Sequence, residues 1–223
     1  DFINDWEAQS MGYGMGQTLP PKFSDFMIAH VANQVAQKTE QTIFTGVAAN
    51  AGEYDGFETL MTADGNIPAG QDLAVVGGGI DAANVIQELS RVVNAIPTSL
   101  YGKEDLFIYV PSSVAKFYVQ ALGGFASQGL GANGVNAQGT QWWNNGSLSV
   151  NGVKMFVCPG MSNNTMFAAQ RSNLYFGTGL LNNMNEVKVL DMQDIDGSQN
   201  VRFIMRFTAG VQYGISEDLV YYS

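Results

Sequence analysis

Residues 22–46, KFSDFMIAHVANQVAQKTEQTIFTG, read as one long amphipathic helix on which the rest of the chain is organised. Phe23, Met27, Val31, Val35 and Ile43 recur at multiples of four, with Phe26 and Ala36 beside them, so the apolar residues form a stripe. His30, Asn33, Gln34, Gln37, Lys38, Glu40 and Gln41 fill the other side. Pro20 and Pro21 suit a first turn, Ser24 is placed to cap, and Gly46 offers a left-handed stop. Such a helix extends on the order of 30 Å, the span of a small domain. Its polar side carries amides rather than ion pairs. Two readings stay open: a face turned to another protein or a sheet edge, and an ordinary surface helix.

At 223 residues and 46% hydrophobic content, the chain has material for one large or two small domains with a substantial core. Charged residues make up only 13%, while glycine reaches 26 residues, so the surface is expected to be largely neutral and polar, as suits wide, hydrated protein contacts. Twenty acidic against ten basic residues give a net charge of −10, which opposes wrapping on nucleic acid or anionic lipid. The lone cysteine, Cys158, excludes an internal disulfide, and with the lone histidine, His30, it leaves no Cys/His zinc set. No apolar run approaches the roughly 18 residues of a membrane span, and no membrane partner is expected.

Residues 1–19 carry Phe2, Ile3, Trp6, Met11, Tyr13 and Met15 among glycines, which predicts an extended arm lying against a neighbour or packing back on its own domain. After the long helix, residues 57–63 suit a short helix and Asp64-Gly65-Asn66 a turn. A brief strand is expected over 73–76, ending in Gly77-Gly78-Gly79. A clear amphipathic helix follows from Ala82 to Ile96, capped by Asp81 and ended by Pro97. LFIYV at 106–110 reads as a buried strand, and Pro111-Ser112-Ser113 opens another helix through Tyr118 and Ala121. Residues 125–146 form a long Gly, Asn and Gln loop holding Trp142 and Trp143. Strands are then expected at 148–150, 153–157, 166–169, 187–190, 201–208 and 219–222, with two-residue turns at Asn151-Gly152 and Asp196-Gly197. The pattern is α+β without internal repeats.

Gly77, Gly79 and Ala82 match G-x-G-x-x-A between a strand and a helix, the arrangement that holds a dinucleotide pyrophosphate. Against that reading, Asp81 puts a carboxylate where the pyrophosphate must dock, and the next strand ends in Pro111 rather than an acidic residue. Asp191, Asp194 and Asp196 resemble half of a calcium loop, but Met192 interrupts the ligand spacing, so a hairpin turn explains them better. Glu104-Asp105 and Glu217-Asp218 are adjacent pairs, and neighbours on a strand point to opposite faces. No G-x-S-x-G occurs, and no catalytic residue, metal ligand or cofactor is expected.

The order of these segments resembles the major capsid protein of tailed bacteriophages, whose Hong Kong 97-type fold is shared with encapsulin shells. IFTG, then GFETLMTA, is similar to the end of the family's spine helix and the glycine-rich loop that leaves it. AANVIQELSRVVNAIP followed by YGKEDLFIYVPSSVAKFYVQAL resembles the helix, strand and helix of the axial domain. NGVKMFVCPGMSNNTMFAAQRSNLYFGT is similar to the family's following strand pair, and VRFIMRFTAGVQYGISEDLVYYS to its closing strand, bend and terminal strand. The resemblance implies a peripheral domain of residues 1–47, with the spine helix at 22–45, and of strands at 184–208. It implies an axial domain of residues 48–183 and 209–223. Residues 1–19 would be the returning strand of the family's extended loop, and the chain a fragment or processed form lacking the N-terminal arm. The inter-subunit crosslink of some relatives transfers to no residue here.

The implied function is that of a structural subunit, not an enzyme. Its copies would assemble into pentamers and hexamers of an icosahedral virion shell in the host cytoplasm. The shell would enclose DNA without sequence-specific binding, and portal, scaffold or decoration proteins would be its partners. Trp6, Tyr13, Phe125, Trp142 and Trp143 are the expected subunit contacts, each equally able to fill its own domain's core. The alternatives are an encapsulin-type shell, a dinucleotide-binding enzyme through Gly77, Gly79 and Ala82, and a β-rich adhesin.

Overall fold

A computed structural model describes residues 23–75, 77–122, 148–179, 187–192 and 201–223. In chain order these form helix α1 (Phe23–Thr45), α2 (Phe57–Ala63), strand β1 (Asp72–Leu73), α3 (Val85–Ala95), β2 (Leu106–Pro111) and α4 (Ser112–Leu122). There follow β3 (Leu148–Val150), β4 (Val153–Cys158), β5 (Met166–Gln170), β6 (Leu174–Thr178), β7 (Val187–Asp191), β8 (Val201–Met205), β9 (Ala209–Tyr213) and β10 (Val220–Tyr222). The fold mixes helix and sheet. Backbone contacts divide it into two units, with breaks after Thr39, Gly177 and Thr208.

The larger unit, Glu40–Gly177 with Ala209–Ser223, is built on a six-stranded sheet in the order β1-β10-β5-β2-β4-β3. β2 runs parallel to β4 and antiparallel to β5, which places the LFIYV run at the middle of the sheet. Period-two alternation gives that sheet two apolar faces. Leu106, Ile108 and Val110 of β2, Met166 and Ala168 of β5, and Val220 and Tyr222 of β10 meet Val85, Leu89 and Val92 of α3 and Val114 and Tyr118 of α4. Tyr109, Phe167, Ala169 and Tyr221 point to the opposite face, where Phe44, Phe57 and Met61 cover them.

Local chemistry accounts for the joints. Asn151 and Gly152 have φ of 45° and 80°, the primed turn that a two-residue hairpin between β3 and β4 requires. Asp81 Oδ1 accepts the Ala83 and Asn84 N–H groups at 2.8 and 3.0 Å, and Asn84 Oδ1 accepts the Asp81 N–H at 2.8 Å. This reciprocal cap holds residues 81–84 as a turn, so α3 itself starts at Val85 rather than at Ala82. The strand expected at 73–76 is regular only at Asp72–Leu73, although Val75 still donates to the Ser223 carbonyl at 2.9 Å.

Gly46 ends α1, but not by a left-handed φ; its role is close approach. A methyl at Gly46 would meet the Tyr54 and Thr42 carbonyls, one at Gly56 the Phe44 carbonyl, and one at Gly160 the Glu40 carbonyl. Three segments thus pack backbone to backbone around the last turns of α1. The Phe44 ring then lies 6.2 Å from Phe57 and 6.5 Å from Phe167.

The smaller unit holds residues 23–39 and the described part of Thr178–Thr208. β7 and β8 pair antiparallel from Val187↔Met205 to Asp191↔Val201; the turn expected at Asp196-Gly197 lies outside the described residues. Where the chain enters and leaves this unit, the Gly179 N–H and the Thr178 hydroxyl both donate to the Thr208 carbonyl, at 3.2 and 3.1 Å. In α1, Met27, Val31 and Val35 are half-buried, as is His30, which was expected on the polar side. Ala36 is exposed, because each residue turns the helix by about 100° and carries it past the stripe. Ser24, expected as a cap, lies inside the helix. The strand expected over 201–208 ends at Met205, and a separate strand, β9, pairs with β6 in the larger unit.

Gly56→Ala and Gly160→Ala are each expected to destabilise the fold by about 1–3 kcal/mol, the cost of overpacking against backbone that cannot yield. Gly65→Ala, where an added Cβ meets nothing within 4 Å, is expected to change stability by less than about 0.5 kcal/mol. Urea titrations of the three variants check the contrast.

Candidate functional site

The sheet register lines aromatic side chains up across the face that α2 covers. Phe156 of β4 stands opposite Tyr109 of β2, Tyr109 opposite Phe167 of β5, and Phe167 opposite Tyr221 of β10. Tyr109 stacks on Phe167 with centroids 4.6 Å apart and planes 15° from parallel, and Phe156 tilts against Tyr109 at 5.8 Å. The row is buried at its centre but open at its β4 end, where Phe156 is 55% exposed beside the exposed Lys154. A large ring continuous with a buried row, yet open to water, is a candidate contact surface. Tyr175 and Phe176 of β6 add exposed rings, 57% and 46% exposed.

The polar groups of the larger unit are tied into the structure by burial and by hydrogen bonds. Cys158 is fully buried, and burial, then the carboxyls of Glu40 and Glu58, push its thiol up to about 12. An uncharged, inaccessible thiol is no nucleophile. Burial, then Cys158, pushes Tyr109 up to about 12. On the opposite face Glu88, only 3% exposed, takes the Arg91 guanidinium at 2.6 Å and the Tyr222 hydroxyl at 2.7 Å, while Arg91 lies 5.7 Å from the Tyr222 ring centre. Asp105 accepts Gln170 Nε2 at 2.9 Å and the Ser172 hydroxyl at 2.7 Å, which lower its pKa.

The glycine turn at 77–79 makes no phosphate cradle. β1 is a two-residue edge strand beside β10, not the central parallel strand of a nucleotide site. The Ala83 and Asn84 N–H groups that would receive a phosphate already bond Asp81, and the Ile80 N–H bonds Asn164 Oδ1 at 3.0 Å. Gly78 and Gly79 serve a left-handed turn, with φ of 109° and 82°. Of the acidic triplet 191, 194 and 196, only Asp191, at the end of β7, falls within the described residues. Among those residues no group of three or more His, Cys, Asp or Glu gathers as a metal site.

Trp6, Tyr13, Phe125, Trp142 and Trp143, the contacts expected from sequence, all lie outside the described residues. Phe156, Tyr175 and Phe176 were not singled out. The signal for Phe156 was available: the Asn151-Gly152 turn sets the phase of β4, and Lys154 and Phe156 fall opposite Val153 and Met155.

No family model matches the chain, and no curated protein matches it in sequence. Among solved structures, a chain from Mycobacterium phage Che8 matches with a TM-score of 0.54 at 12% identity, over 89% of this chain and 62% of that one. A chain of a satellite phage P4 procapsid that includes the size determination (Sid) protein matches with a TM-score of 0.59 at 9% identity, over 99% of this chain and 65% of that one. This chain therefore spans less than two thirds of either solved chain's length. Its backbone path is thus one that these two phage chains share.

Asp64, after α2, generates a pH dependence. It accepts the Ser216 hydroxyl at 2.6 Å, the Asn66 N–H at 2.9 Å and the Tyr213 hydroxyl at 2.8 Å, which together lower its pKa from 3.8 to about 2. A depressed carboxyl contributes stability above its unfolded pKa and loses it as pH falls through the folded one. Between pH 4 and 2 the melting temperature should thus fall more steeply in the wild type than in Asp64→Asn. Parallel acid limbs in thermal melts of the two proteins would contradict this.

Proposed function

We propose that this chain is a structural subunit of an icosahedral phage shell with the Hong Kong 97-type fold. The observation that carries the proposal is the match to a procapsid chain over 99% of this chain at only 9% identity. At that identity little sequence is common, so what the two share is the order and path of helices and strands. The division of the chain supports a peripheral domain of α1 up to Thr39 with the β7–β8 pair, and an axial domain of the six-stranded sheet with α2, α3, α4 and the last turns of α1.

The physical case is association through repeated contacts. Each contact need only be modest, because one subunit makes several at once and closure multiplies them. A net charge of −10 suits a wall that encloses DNA without gripping it. Trp6, Tyr13, Phe125, Trp142 and Trp143 are proposed contacts, joined by the exposed Phe156. Virion localisation, assembly as pentamers and hexamers, and encounters with portal, scaffold or decoration proteins follow from the same reading.

Negative-stain microscopy and sedimentation of the complete gene product test it: hollow particles of uniform diameter are expected. A product that stays monomeric across salt and crowding conditions would overturn the proposal. Phe156→Asp is expected to leave the melting temperature of the unassembled chain within a few degrees while reducing particle yield about tenfold, the effect of roughly 1.4 kcal/mol. Undiminished yield would remove Phe156 from the contacts.

A further inference from the structure

Glu58, in the first turn of α2, is 7% exposed. Its Oε1 accepts the Ser162 N–H at 2.8 Å and the Thr165 hydroxyl at 3.1 Å. Its Oε2 has no partner among the described residues, and no cation among them pairs with the carboxylate. That second oxygen is not shut away from solvent, so an incoming donor can reach it. Beside it opens a groove of about 460 Å³, lined by Thr45, Glu58, Thr59, Thr62, Ser162 and Tyr221.

The hydroxyl protons along this groove are already committed. Thr45 donates to the Gln41 carbonyl at 3.0 Å, Thr59 to the Gly46 carbonyl at 2.7 Å, and Thr62 to the Glu58 carbonyl at 2.8 Å. A hydroxyl has one hydrogen to give, so across the 2.9 Å contact between Thr62 and Tyr221 the phenol is the donor. The hydroxyls of Thr45, Thr59, Thr62 and Tyr221 thus have no hydrogen left to give an occupant of the groove that Glu58 also lines. A surface of acceptors and a carboxylate fits a group that only donates and carries positive charge, which is an alkylammonium or a guanidinium. A single carboxylate falls short of the oxygen set a bound calcium needs, and the volume suits the head of a side chain.

We propose that this groove receives a lysine or arginine side chain of a neighbouring copy of the chain. The chain supplies such groups: Lys116, Lys154, Arg202 and Arg206 are exposed and have no acidic partner among the described residues. The occupant rests on the shell reading; the cation-accepting chemistry of the groove does not.

Glu58→Gln separates the two, because glutamine keeps an acceptor for Ser162 and Thr165 and removes only the charge. In the unassembled full chain, titration with agmatine is expected to shift the amide resonances of Glu58, Thr62 and Ser162. Glu58→Gln is expected to weaken that binding at least tenfold while melting no lower than the wild type. A carboxylate kept for internal structure alone would instead show a lowered melting temperature and no agmatine response, which would overturn the proposal. Equal shifts with Mg²⁺ alone would overturn it as well, making the groove a metal site. In assembly, Glu58→Gln is expected to need at least a tenfold higher subunit concentration to form particles. Particle formation by the variant at the wild-type concentration would remove the neighbouring copy as occupant. Agmatine binding that depends on Glu58 in a chain that never forms particles would sink the shell reading and leave the cation site standing.

Discussion

The larger unit depends on how closely its backbone segments approach one another around the end of α1. Gly46, Gly56 and Gly160 let the carbonyls of Tyr54, Phe44 and Glu40 come within a distance that any side chain would forbid. Only through that approach does Phe44 reach Phe57 and Phe167 and cover the middle of the sheet's aromatic row. The same approach sets Thr59 to donate to the Gly46 carbonyl and Gly56 to donate there too, at 2.7 and 2.9 Å. The turn after the helix is thus satisfied from two sides, as buried carbonyls require.

From this point the constraints pass to the chain's last strand. β10 lies between β1 and β5, with Tyr221 on the face of the α1 end and Tyr222 on the face of α3. Each tyrosine body is buried and each hydroxyl is bonded, Tyr221 to Thr62 at 2.9 Å and Tyr222 to Glu88 at 2.7 Å. The two rings therefore tie both helical layers to one strand. Glu88 is tolerable inside because Arg91, one turn along α3, neutralises it, and Arg91 keeps a third of its side chain in water. Glu58 has no such partner among the described residues. That difference between two buried carboxylates on opposite faces of one sheet is the clearest asymmetry in the unit.

Much of this was legible in the sequence, and where it was not the reason is physical. LFIYV announced a strand buried on both faces, and α3 and α4 carried strong helical periodicity, since both follow from local burial patterns. Asn151-Gly152 announced its turn because only those residue types accept positive φ. β6 and β9 stayed hidden. They are short, half-exposed, and each holds a glycine, Gly177 or Gly210, so neither shows alternation, and their pairing joins segments about thirty residues apart in sequence. Gly46 was expected for its conformational freedom, whereas its value is its missing side chain, which only the tertiary neighbours reveal. The Phe156 surface and the Glu58 groove were invisible for a similar reason: each is defined by what fails to cover it, and a sequence records residues rather than their coverage.

On the proposed shell reading, what remains uncovered is what copies of the chain would use to associate. A surface with few charges and many amides loses little by being buried, but it also gains little in direction. Specificity must then come from a small number of distinctive groups. An exposed ring at the open end of an aromatic row supplies apolar area, worth about 25 cal/mol per Å² removed from water. A carboxylate in a groove with hydroxyls whose hydrogens are already used would supply the complementary quality, a preference of sign that rejects any neighbour presenting the wrong group. Neither is strong alone, and both sit on the sheet-bearing unit whose backbone is pinned by glycine close contacts. Weak contacts on a stiff support repeat with the same geometry in every copy, and that repetition is what a closed shell requires of its subunit.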